Sequence, residues 1–190
     1  MFTINDKFVG HLLATSPILY SSDEPQKVIL IINHTSQIVI GIQINQEILG
    51  QTIQRVSSRI GIPFFGNDPL WDGGNLGKDK IHVIHTTDWM GKSSVQLNDE
   101  LAVTSDISVL AALCEGQGPS QFRACAGFCS WSNSEFMDAL GIQSDGIERK
   151  QTDWEIAPGT PNLVMHPDGA ETQWLKVLEA SAAFQAAQWF

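Results

Sequence analysis

The chain has 190 residues, 43% hydrophobic and 17% charged, which fits one well-buried domain spanning 1–190 and excludes disordered, collagen-like and repeat classes. Acids outnumber Lys and Arg 21 to 11, a net charge of −10. No basic run interrupts that balance, so direct nucleic-acid binding, which needs cations to displace counterions from phosphates, is disfavoured.

In chain order, the opening "MFTINDKFVGHLLATSP" lacks the charged leader and apolar core of a secretory signal. No stretch reaches the ~20 apolar residues of a membrane span. With three cysteines, an odd number, a cytoplasmic chain with reduced thiols is expected. The run "VILIINHTSQIVIGI" is broken by Asn33 to Gln37, so Val28 to Ile32 and Ile38 to Ile44 read as the two strands of a hairpin. In "EILGQTIQRVSSRIG", Leu49, Ile53, Val56 and Ile60 recur with helical spacing and Gly61 supplies a stop, so a helix is predicted. "GIPFFGNDPLWDGGNLG" reads as a Gly/Pro-rich loop, and "KIHVIHTT" and "ELAVT" as short strands. "SDISVLAALCEG" predicts a helix capped by Asp106 and stopped at Gly116, with Ile107, Leu110, Leu113 and Cys114 on its apolar face.

"FRACAGFCSW" has strand character. Ser132 and Glu135 stand at capping-box spacing, opening a short helix that ends at Gly141. A loop holding Trp154 and a strand "NLVMH" come before the last helix, which Asp168 caps with Glu171 three residues on. Trp174, Val177 and Leu178 face inward from it. Strands fall in groups with helices between them, which favours α+β with a mixed sheet over strict βαβ alternation.

Most motifs that would carry chemistry are incomplete. For a phosphate loop, Gly77-Lys78 requires glycine where Asp72 stands, and Asp79 occupies the place of the magnesium-binding hydroxyl. "GQGPSQ" ends a helix instead of opening one, and Pro119 removes an amide. His82 and His85 form H-x-x-H, but residues three apart in a strand point to opposite faces and cannot close on one metal. Extended, Cys125 and Cys129 share a face ~13 Å apart, beyond disulfide reach, and read as buried thiols. No G-x-S-x-G elbow is present, and Ser130, Ser132 and Ser134 read as a strand-to-helix junction. Neither a metal nor a cofactor is expected.

Several segments together resemble the YqgE/AlgH family of small bacterial proteins. "GHLLATSPIL" resembles its opening G-x-L-L-x-A-x-P-x-L, and "INHTSQIVIGIQIN" its strand, turn and strand from a histidine to a closing asparagine, with His34, Gly41 and Asn45 in place. "PLWDGGNLGKDKIHVIH" is similar to P-V-Y-x-G-G-P-V followed by a strand ending in Leu-His, which aligns Pro69, Gly73, Gly74 and His85. "VTSDISVLAALCEGQGP" resembles T-T-S-R-D-V-L-E-A-L before a G-x-G-P turn, and "GFCSWSNSEFMDAL" resembles G-Y-A-G-W followed by G-Q-L-E and a helix. The resemblance covers the chain from Gly10 to about Trp174.

Departures are specific: Gln46-Glu47 replaces Arg-Pro, Asn75 replaces proline, Asp106 and Ser108 exchange serine and aspartate, and Ser132, Ser134, Glu135 and Met137 alter the run after Trp131. The resemblance implies an α+β fold with a bifurcated sheet curled into a pseudo-barrel and helices packed outside. Some members are labelled transcriptional regulators, but no helix-turn-helix or basic surface is visible here.

A non-enzymatic regulatory or binding protein, acting on a protein or small-molecule partner, is therefore the leading expectation. The alternative is an enzyme with a loop-built site of Asn45, Gly73, Gly74, His85 and Thr104, with His34 and Trp131 adjacent and His85 as acid/base.

Overall fold

The computed structural model describes residues 8–19, 26–59, 61, 62, 64, 66–142, 153–166 and 169–187. Ten strands form its frame: β1 (His11–Thr15), β2 (Val28–His34), β3 (Ile38–Gln43), β4 (Glu47–Thr52), β5 (Pro69–Asp72), β6 (Leu76–Thr86), β7 (Val95–Gln96), β8 (Leu101–Thr104), β9 (Phe122–Ser132) and β10 (Trp154–Pro158). Five helices join them: α1 (Ile53–Arg59), α2 (Ser108–Cys114), α3 (Asn133–Ala139), α4 (Pro161–Val164) and α5 (Ala170–Ala187). The path runs β10-β1-β2-β3-β9-β6-β8-β7, with β5 attached to β9 and β4 to β5. Every pairing is antiparallel except β5 with β9. The fold is α+β, its sheet curled into a half-barrel.

Strand β9 is where the sheet divides. One edge pairs with β6 from Phe122 to Phe128. The other edge pairs with β5 at Ala124–Ala126 and with β3 from Cys129 onward. Between them lies Gly127 at φ +84°. Only glycine tolerates that φ without strain. The end of β5 crosses this point so closely that a Cβ on Gly73 would stand 2.2 Å from Gly127 O, and one on Gly74, at φ +145°, 2.3 Å from the Phe128 carbonyl carbon.

Alternation along the strands sorts the core onto two faces. Leu12, Val28, Leu30, Ile84 and Cys125 pack on one face with Trp174 and Val177 of α5. On the other, Ile29, Ile31 and Val39 pack with Phe136 of α3, while Val83, Ala124 and Ala126 pack with Ile53 of α1 and with Val109 and Leu110 of α2. Fully burying each such aliphatic side chain stabilises the fold by roughly 1.5–3 kcal/mol. Among the described residues, no helix is long and apolar enough to cross a membrane.

Several expectations meet the structure directly. The β2–β3 hairpin forms, with β2 running on to His34. At α3 the Ser132 hydroxyl accepts the Glu135 amide, Glu135 accepts the Ser132 amide, and Gly141 follows at φ +73°.

Others are corrected. The helix expected from Glu47 starts only at Ile53, because Glu47–Thr52 pairs with β5 and leaves Leu49 89% exposed. Ile60 lies outside the described residues. The expected Pro69–Gly77 loop contributes β5 and the start of β6 instead, since its backbone finds partners on β4 and β9. "NLVMH" is helical: Pro161 sets the first turn, and the amides of Val164 and Met165 donate to Thr160 O and Pro161 O. Trp154 opens an edge strand, not a loop.

On α2 the buried residues are Val109 and Leu110, while Ile107 and Cys114 face water. Its cap position is Ile107, although Asp106 Oδ1 still accepts the Ser108 amide at 2.9 Å. The left-handed φ of +84° at Gly127 interrupts the alternation, so Cys125 packs with the α5 face and Cys129 with the α3 face. Both remain free thiols. The cap expected at Asp168 lies outside the described residues.

Candidate functional site

Strand β6 presents its two histidines to different surroundings. His85 is fully buried. Its Nδ1 lies 2.9 Å from Thr86 O, a pure acceptor, so Nδ1 carries the proton. Nε2 is then a lone pair, and Ser94 Oγ donates to it at 3.1 Å while itself accepting the Gly91 amide at 3.1 Å. The Trp89 ring closes over it edge-on. Burial lowers its pKa below 6.5, partly offset by Thr86 O and Asp88.

His82, on the opposite face, pairs Nδ1 with Ser105 Oγ at 2.9 Å. Its Nε2 is buried with no protein partner. Burial first, then Lys80, lowers its pKa, so it is neutral at pH 7. Ser105 and Asp106 stand between β8 and α2, and Asp106 Oδ2 accepts from Ser93 Oγ at 3.4 Å. Hydrogen bonds from Ser108, then Ser93, hold the Asp106 carboxyl below its ordinary range, so it is ionised.

These groups line one open groove of about 660 Å³, with Asn33, Ser93 and Thr104 beside them and Ile32, Val95 and Val103 as apolar wall. The volume is that of a small-molecule site. It exists because the register shift between Ile31 and Asn33 turns the end of β2 aside, while β8 ends at Thr104. On the far side of Ser105 and Asp106 a small apolar notch of about 30 Å³ lies under α1 and α2.

The residues singled out from the sequence fall in three places. Thr104 lines the groove, and its Oγ1 accepts the Asp106 amide at 3.0 Å. His85 lies behind it on the other sheet face. Asn45, 2% exposed, accepts the Val28 amide at 2.9 Å and donates to Gln26 O and Ala170 O, tying β2 to the start of α5. Gly73 is near Asn45: its carbonyl accepts the Gln43 amide and its amide donates to Ala126 O, both at 2.8 Å. The Gly74 amide donates to Asp72 Oδ1, which also pairs with Lys78.

His34 and Trp131 form a third group around Phe136. His34 stacks on Phe8 and pairs with Asn133 Oδ1 at 2.8 Å. Trp131 lies across Gly41, where a Cβ would meet its ring at 3.3 Å. His85 pairs with Phe122 and Val39 with Trp131, at opposite ends of β9. At ~3.3 Å per residue this separates the two groups by roughly 25–30 Å.

Asn33, His82, Ser93, Ser105 and Asp106 were not assembled from the sequence as a site. The only signal was the H-x-x-H spacing, whose opposed faces leave His82 free to meet Ser105. Among the described residues no three His, Cys, Asp or Glu gather to hold a metal. The Ser105–His82 pair is poorly suited to nucleophilic catalysis, because no acceptor orients Nε2 and Lys80 opposes a second proton on the ring.

Comparison with known proteins matches residues 12–183 to the AlgH-like family. A UPF0301 protein of Sphingopyxis alaskensis is 30% identical over 159 residues, covering 83% of this chain and 80% of the relative. One from Shewanella loihica is 26% identical over 92% of this chain and 91% of its own. The solution structure of AlgH from Pseudomonas aeruginosa superposes with TM-score 0.71 at 22% identity, covering 96% of this chain and 93% of that one. A Corynebacterium diphtheriae crystal structure gives 0.70 at 20%, covering 94% and 89%. At that identity the likeness speaks to the fold.

Proposed function

We propose that this chain, which belongs to the AlgH-like family, is a single-domain, non-enzymatic binding protein of regulatory type that takes a small molecule in the groove beside His82 and Ser105. One observation carries the reading: about 660 Å³ of open space lined by hydroxyl, amide, imidazole and carboxylate groups over an apolar wall. Such a mixture of apolar wall and a few convergent polar groups is what ligand sites offer. The absence of Lys and Arg among the described lining residues, on a chain of net charge −10, supports a partner other than nucleic acid.

The test is equilibrium dialysis of a bacterial small-molecule extract against the protein and a Ser105→Trp variant, with mass spectrometry of what is retained. Ser105 is exposed, so tryptophan there fills the groove without touching the core. Compounds retained by the parent and lost by a variant of unchanged Tm support the reading. Identical retention by both, or no retention, overturns it.

The chain from Ser94 to His85 to Thr86 O favours a second reading, a site of acyl-transfer type built on His85. It has the order of hydroxyl, base and orienting acceptor. The full burial of His85 weighs against it. A fluorophosphonate probe should label Ser94 in the parent and not in His85→Gln, and no adduct on Ser94 in the parent ends this reading.

A further inference from the structure

Among the described residues lining the groove, Asp106 contributes the one fixed charge. Its carboxylate reaches across from the α2 end of the groove to Ser93. One oxygen holds the Ser108 amide and the other the Ser93 hydroxyl, each with acceptor capacity left over. The remaining polar groups, Asn33, His82, Ser93, Thr104 and Ser105, are uncharged and able to donate or accept. Lys80, whose charge acts on His82, and Lys92, the chain neighbour of Ser93, are exposed and outside the lining, where water and salt screen them.

We propose that Asp106 determines the groove's specificity, admitting uncharged ligands that carry hydroxyl or amide groups and rejecting phosphates and carboxylates. This rests on the groove being the binding site. An entering anion meets a fixed like charge and, among the described lining residues, no counter-charge. An uncharged donor/acceptor molecule instead finds a carboxylate with acceptor capacity left over and the Ser93 and Ser105 hydroxyls within one cavity. A cationic group would be drawn to Asp106, but the two hydrogen bonds already on the carboxylate reduce that gain. Rejection of the wrong charge is a common route to specificity, because discrimination is a difference of affinities that a repulsive contact widens.

Uridine is a suitable probe, since its imide and ribose hydroxyls offer both donors and acceptors, and its 5′ position can be varied. Amide NMR titrations of the intact chain would compare uridine, uridine 5′-monophosphate and 5′-amino-5′-deoxyuridine, following Ser93, Val95, Thr104 and Ser105. Uridine should shift these amides, and the monophosphate should bind at least about tenfold more weakly. In Asp106→Asn, which retains the acceptor for the Ser108 amide, the monophosphate should approach uridine's affinity. Equal binding of monophosphate and uridine by the parent, an ammonium analogue about tenfold tighter than uridine, or an unchanged ratio in Asp106→Asn would overturn the specificity while leaving the groove as a binding site. No shift at these amides with any of the three compounds would overturn both.

Discussion

Arg123 is the test of how this fold tolerates a buried charge. Its guanidinium, 5% exposed, lies 3.8 Å from the centroid of Trp71 and donates to Ile44 O, to Gln173 Oε1 at 3.1 Å and to His166 O at 2.7 Å. Among the described residues it has no carboxylate within salt-bridge distance. Burial pulls its pKa down from the usual guanidinium range to about 10, which corresponds to about 3 kcal/mol of unreturned desolvation. Arg123→Met recovers that amount. It also orphans three buried acceptors, each worth roughly 1–3 kcal/mol, and removes a desolvated cation–π contact of about 1–2 kcal/mol. The losses exceed the gain, so a net destabilisation of roughly 3–5 kcal/mol is expected.

Urea unfolding reads this directly. With m of about 2 kcal/mol/M, the midpoint should fall by roughly 1.5–2.5 M at unchanged slope. Arg123→Lys should lose much of the same stability, because a point charge on a flexible stem cannot span three acceptors. The folded pKa is depressed, so the native state gives up its proton before the unfolded chain does, and stability changes only between about pH 10 and 12.5. The effect of Arg123→Met should therefore be constant from pH 6 to 9. A midpoint within about 0.5 M of the parent would show that the acceptors re-pair readily and that the hub is dispensable.

Gly74→Ala should cost at least about 3 kcal/mol, as its Cβ would lie 2.3 Å from backbone at φ +145°, whereas Gly116→Ala, at φ +68° in open space, should cost only about 1 kcal/mol by the same urea assay. Iodoacetamide at pH 8 should modify exposed Cys114 in the native chain and spare Cys125, whose thiol burial pushes up to about 12, and mapping by mass spectrometry would reveal any native modification of Cys125 that contradicts this. His11, His82 and His85 all have folded pKa values lowered chiefly by burial. Stability from them is full above 6.5 and lost as pH falls through 6.5 toward the lowered values, so His85→Gln should flatten the fall in urea midpoint between pH 7 and 5. An unchanged pH slope in that variant would refute the assignment.

What the sequence made legible was local. The β2–β3 hairpin, the Ser132–Glu135 capping box and the inward face of Trp174 and Val177 each depend on neighbours within one element or one turn. The errors came where a distant partner decided the outcome. Glu47–Thr52 carries helical spacing in Leu49 and Ile53, yet pairing with Trp71 and Pro69 takes its backbone into a ladder and Leu49 into water. "NLVMH" has the short apolar run of a strand, but Pro161 fixes φ for a first helical turn. Cys125 and Cys129 share parity in an unbroken strand, and a single φ of +84° at Gly127 cancels it.

The groove was illegible for the same reason in stronger form. Its polar groups come from β2, β6, the turn before β7 and the end of β8, and nothing in the spacing of Asn33, His82, Ser93 and Asp106 says that they meet. The H-x-x-H reading put His82 and His85 on opposite faces, as they are, but which face receives a cavity depends on the shift at Ile31–Asn33 and on β8 ending at Thr104. Residues aligned by family resemblance behave differently. Asn45 satisfies three backbone groups, Gly73 and Gly74 permit a crossing no side chain fits, and Trp131 fills the space that Gly41 leaves. Each meets a geometric demand of the bifurcated sheet. The motifs that make the fold recognisable therefore need not mark the chemistry it serves, and that chemistry is better sought at the polar groups left unpaired after the fold's own demands are met, beginning with His82 Nε2.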